Sequence, residues 1–159
     1  MKSLVIILFT FFSFIQNPSD VRDQYYAASK SKQNAEKFYN LLAKYNKDNK
    51  TMLAYKGAAL ALKSKYASDR KDKKDLFIEG VTTLESSVKQ EPNNAEIRLI
   101  RLSVQENTPK FLKYKANIDE DKKMIVSSFE KQSKDLKEYI KTYINQSKIF
   151  TEAEKQKIK

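Results

Sequence analysis

Arg98 and Arg101 are the residues in this sequence whose type and spacing most invite chemistry. They stand three apart in residues 95–105, where Ile97, Leu99, Ile100, Leu102 and Val104 read as a helix apolar on two faces. Three residues apart on a helix, both guanidinium groups point to much the same side. A guanidinium grips a carboxylate through two parallel hydrogen bonds, and two of the chain's four arginines are gathered here. The competing reading is a pair of surface salt bridges, to Glu96 or Glu106. Asp119-Glu120-Asp121 is the other dense group of titratable side chains. It opens a predicted helix, where acids are favoured by the helix dipole, and no second carboxylate cluster stands at a defined spacing from it.

The residue types that are missing narrow the chemistry further. The chain has neither histidine nor cysteine. That removes the commonest general base, the commonest metal ligand, any thiolate nucleophile and any disulfide. Both glycines, Gly57 and Gly80, fall inside predicted helices, so there is no glycine-rich phosphate loop. No catalytic residue, no metal and no cofactor is expected, and the chain is not expected to be an enzyme. Aromatic residues alternate with lysine at Lys37-Phe38-Tyr39, at Lys110-Phe111 and on to Lys115, and at Lys137-Glu138-Tyr139-Ile140-Lys141. Such interleaving can bind single-stranded nucleic acid. Amphipathic helices produce it with no ligand, because Tyr and Lys sit naturally at the edge of a core. Nucleic acid is therefore not expected as a partner.

The elements that must position these residues are helices. Only two glycines and three prolines occur in 159 residues, strong helix formers dominate, and no alternating β-branched run is present. Lys2 followed by the apolar stretch 4–15 and a polar exit at Gln16-Asn17-Pro18 has the layout of a secretory signal peptide, assigned to residues 1–17. An uncleaved anchor or a buried helix are the other readings of that stretch. Residues 18–148 then form the helical domain, and 149–159 a charged tail or short helix with a capping box at Thr151 and Glu154. Within the domain, helices are predicted over 20–29, 34–45, 52–67, about 76–90, 95–105, 119–129 and 135–145. The charged run 68–75 is expected to be a solvated helix end and loop. Thr108-Pro109 is expected to cap and open a short helix holding Phe111, Leu112 and Tyr114.

The turn clusters 46–49 and 91–94 lie about 45 residues apart, each between apolar helices, which implies two helical hairpins in series. Gly80, Leu84, Ser87 and Pro92, with the run Glu91-Pro92-Asn93-Asn94-Ala95-Glu96, resemble the second helix and closing turn of a tetratricopeptide-type repeat. Small side chains there let paired helices approach, while the large one fills the gap between repeats. Gly57 is the matching small residue on the first helix. The separation from Gly57 to Gly80 is about twice the family's, so this hairpin would carry roughly three extra helical turns. Packing at Gly80 makes Gly80→Leu an overpacking change, while Gly80→Ala is neutral or stabilising where there is room.

The resemblance implies an all-α fold of antiparallel hairpins stacked in series, as a short solenoid or irregular bundle. It also implies a groove lined by 53–66 and 95–105 that takes a peptide. In that groove Tyr55 and Tyr66 would supply apolar contact, and Lys63, Arg98 and Arg101 anion recognition. The expected function is an exported helical scaffold, periplasmic or in a cell envelope, binding a protein or peptide. The net charge of +11 supports a second reading, a basic envelope protein on an anionic membrane or polysaccharide surface.

Overall fold

A computed structural model describes residues 18–158. The segment expected to be an export signal, 1–17, lies outside the described residues. Among the described residues the fold is all-α, with no strand. The helices are α1 (Pro18–Ala28), α2 (Lys32–Leu42), α3 (Lys50–Tyr66), α4 (Arg70–Gln90), α5 (Ala95–Asn107), α6 (Ile118–Ser128), α7 (Lys134–Gln146) and α8 (Glu152–Gln156). Neighbours in sequence pack as antiparallel pairs through α4, and α5 pairs with α6.

Short polar side chains start these helices. Asn49 Oδ1 accepts from the Met52 amide at 3.0 Å, and Asn94 Oδ1 accepts from Glu96 and Ile97 at 3.0 and 3.1 Å. Each cap satisfies amide donors that the first turn leaves unpaired. Asn94 Nδ2 also donates to Thr51 Oγ1 at 3.2 Å, so α3 and α5 begin side by side. The second of the two turn clusters thus reaches the first turn of α3. Asp69 caps α4 by accepting from Lys71 and Asp72, so the charged run from Arg70 onward is exposed helix, not loop.

α3 and α4 form the tightest pair. A methyl added at Gly80 would stand 2.7 Å from the Gly57 oxygen and 2.9 Å from the Ala61 nitrogen. One added at Gly57 would stand 2.6 Å from the Gly80 oxygen and 2.9 Å from the Leu84 nitrogen. Those neighbours are backbone and cannot rotate away. The room that would have made Gly80→Ala harmless does not exist.

α5 is the centre of the molecule. Every residue from Ala95 to Gln105 is buried. Ile97, Ile100 and Val104 join a core made with Val21, Phe38, Tyr55, Leu84 and their neighbours. Leu99 and Leu102 join a second core with Ile125, Phe129, Ile140 and Ile144. One helix is therefore the shared wall of two cores, which its two apolar faces require.

Two details at the C-terminal half differ from expectation. Thr108 does not cap a following helix. Its hydroxyl donates back to Val104 O at 2.7 Å and closes α5, and after Pro109 only one 3-10 turn forms, Lys110–Leu112. Lys113 ends that turn in the left-handed region at φ 53°, which no helix can continue. The tail has the expected capping box at Thr151 and Glu154, yet it does not hang free. Phe150 and Ile158 are buried in the second core, and Lys122 Nζ reaches Ile149 O at 2.7 Å and Glu154 at 3.0 Å.

Candidate functional site

Arg98 and Arg101 do share one side of α5, and that side faces inward. They are 8% and 3% exposed, and the carboxylate between them, Asp121 in the first turn of α6, is fully buried. Arg101 holds Asp121 bidentately, with Nε to Oδ2 at 2.8 Å and Nη2 to Oδ1 at 2.6 Å. Its Nη1 donates to Glu85 of α4 at 2.9 Å. Arg98 donates through Nη1 to Asp121 at 2.9 Å and Glu120 at 2.6 Å, and through Nε to Pro92 O at 2.8 Å. Two guanidinium groups thus meet three carboxylates, so no positive charge is left over for an external anion. Their partners are neither Glu96 nor Glu106.

Electrostatics follow this geometry. Burial alone would lower the Arg101 pKa, but the hydrogen bond and charge of Asp121, with Glu85, outweigh it and raise it. Arg98 and Asn117 hold Glu120 below the usual carboxylate range. A clamp whose charges are balanced inside the protein fastens α4, α5 and α6 together; it is not an open receptor.

Tyr55 is also interior. It is fully buried, and its hydroxyl donates to Glu96 at 2.8 Å. Arg22 of α1 grips the same carboxylate bidentately, both bonds 2.8 Å. Tyr25 of α1 packs edge-on against the Tyr55 ring at 5.6 Å, and Tyr143 of α7 donates to Glu106 at 2.6 Å. α7 also packs on α1. The face of α3 and α5 that was expected to form an open groove is therefore covered by the chain's own helices. Of the remaining two expected residues, Lys63 sits over the Tyr39 ring at 3.6 Å and lies 3.8 Å from Glu36. It borders a depression of about 550 Å³ whose lining includes Asp69, Asp72, Asp75 and Glu79 beside Ala67, Ser68 and Leu76. Tyr66 is half-buried at the end of α3, with Lys65 against its ring. The five residues do not converge on one site.

The surface has a different focus. Phe111 is 79% exposed and Leu112 39%, side by side in the 3-10 turn after α5. Lys110 and Lys113 flank them, both exposed. The turn is held firmly at both ends. Tyr114 packs edge-on against Phe77 of α4 at 6.0 Å and donates to Glu85, while Lys115 Nζ donates to Glu106 O at 2.9 Å. The sequence placed Phe111 and Leu112 in a short helix after Pro109, of which only a single 3-10 turn forms.

Among the described residues no lysine is buried, and no helix is long and apolar enough to cross a membrane. No protein-family model matches the chain, and no curated protein or solved structure matches it either.

Proposed function

We propose that this chain is an exported, non-catalytic helical platform that associates with an anionic membrane surface through its lysine-covered exterior. The observation that carries this reading is the sorting of cations. Arg22, Arg98 and Arg101 are turned inward onto carboxylates, whereas every described lysine reaches the surface. The excess charge is thus carried where a surface can meet it, on long flexible stems that keep their heads in water. A peptide-binding groove between α3 and α5 is the weaker reading, because both helices are enclosed and their candidate contact residues are paired internally.

Vesicle sedimentation tests the proposal. The protein should sediment with acidic phospholipid vesicles at low salt and release as ionic strength rises, since lysine attraction decays within about 10 Å at 0.1 M salt. Failure to sediment with acidic vesicles at low salt would remove the reading. The export part is tested separately, by intact-mass measurement of the mature protein, which should lack residues 1 to about 16.

A further inference from the structure

We infer that the turn Lys110–Leu112 is a membrane-inserting tip, placing Phe111 and Leu112 among the acyl chains of an acidic bilayer while Lys110 and Lys113 meet its phosphates. The inference rests on the surface reading above and deepens it by naming the point of contact.

Four observations combine. Phe111 is the most exposed large apolar residue described, and its neighbour Leu112 is also in water. A soluble fold gains nothing from an adjacent exposed Phe and Leu at a turn, whereas a lipid interface removes both from water. The apolar pair is bracketed by lysines, and the carboxylates nearest along its anchors are already engaged. Glu85 accepts from Tyr114 and Arg101, and Glu106 accepts from Tyr143, Ser147 and the Lys148 amide. Between Glu106 and Asp119 the chain carries three lysines and no acid, so the turn itself is positive, which matches an acidic headgroup layer.

The presentation is also built. Lys113 holds a left-handed backbone, costly for a residue with a side chain, and such a conformation persists only where its surroundings impose it. Those surroundings are the Thr108 hydroxyl bond to Val104 on one side and the Tyr114 anchor on the other. Between them the amides of Leu112 and Lys113 bond back to Pro109 and Lys110, both at 3.1 Å. A stiff turn can enter an interface without first losing conformational freedom, which is the usual cost of inserting a loop.

The chain has no tryptophan, so Phe111→Trp in the full chain gives a single reporter at the tip. With vesicles of phosphatidylcholine containing phosphatidylglycerol, its emission should shift to the blue and be quenched by brominated acyl chains. With phosphatidylcholine alone it should do neither. Phe111→Ser with Leu112→Ser should weaken partitioning onto the acidic vesicles about tenfold or more, the loss expected from two apolar side chains. Their thermal midpoint should match the parent's, because neither side chain is buried. Lys110→Gln and Lys113→Gln should each weaken it about fivefold. Sedimentation with acidic vesicles while the reporter stays in water would overturn the inserting tip and leave lysine adsorption standing. Absence of sedimentation would overturn both. A concentration-dependent blue shift without vesicles would assign the tip to a second copy of the chain and overturn insertion.

Discussion

A fully buried carboxylate at position 121 has to be compensated, and two guanidinium groups do so from one helix. Asp121→Asn keeps the shape and removes the charge, leaving Arg98 and Arg101 buried against only the half-exposed Glu85 and Glu120. Urea unfolding should show a loss of about 3–5 kcal/mol, the usual consequence of breaking a buried pair from one side. Tyrosines give a second test. Burial pushes the Tyr25 hydroxyl up to about 12, partly offset by its bond to Ser103, and Tyr55, Tyr114, Tyr139 and Tyr143 are raised as well. A phenol whose folded pKa is raised favours folding fully below its ordinary value of 10.0 and loses that contribution as pH climbs toward the folded value. Urea midpoints should therefore fall steeply above pH 10, and Tyr25→Phe should make the fall shallower between about 10 and 12. The arginine pair was legible in the sequence because its spacing is local. Its partners were not, because Glu85 and Asp121 come from two other helices and no period links them.

Helix ends and helix faces differ in how much local sequence decides. The capping box at Thr151 and Glu154 was readable because both partners lie within one turn, and so was the two-faced character of residues 95–105. Thr108 was misread because a hydroxyl beside a proline can close the helix behind it as well as open one ahead. The glycine pair was legible as small residues, but not how closely the backbones approach. With Gly57 and Gly80 oxygens less than 3 Å from any added methyl, Gly80→Ala should destabilise the protein by about 1–3 kcal/mol despite alanine's better helix propensity. Gly57→Ala should behave alike. A thermal melt of either variant at or above the parent's midpoint would mean that α3 and α4 can separate without loss.

Over the whole molecule, packing that is distant in sequence produced the outcomes least visible beforehand. The all-α class follows from composition and period, but the covering of α3 depends on α1 and that of α5 on α7, whose apolar stripe says only that it packs somewhere. The tail was expected to be a charged segment or short helix because its sequence is mostly Lys and Glu. Two apolar residues override that: Phe150 and Ile158 are 5% and 4% exposed in the second core. Ending the chain after residue 148 should therefore lower the thermal midpoint, since burial of one such side chain contributes about 1.5–3 kcal/mol. The tip at Phe111 was invisible for another reason. The sequence put this pair in a helix after Pro109, and the left-handed Lys113 ends that helix after a single 3-10 turn.

The sharing of α5 by two cores bears on how the protein comes apart. No amide in residues 95–105 can reach water by fraying one face, because the other face is still packed. Deuterium should enter those amides at a rate set by global opening, while the outer turns of α4 and α8 exchange orders of magnitude faster. The two cores should also melt together, with calorimetric and van't Hoff enthalpies equal, although one lies mainly in the first half of the chain and the other in the second. Exchange in α5 that divides into separate fast and slow sets by face would show that the halves open independently.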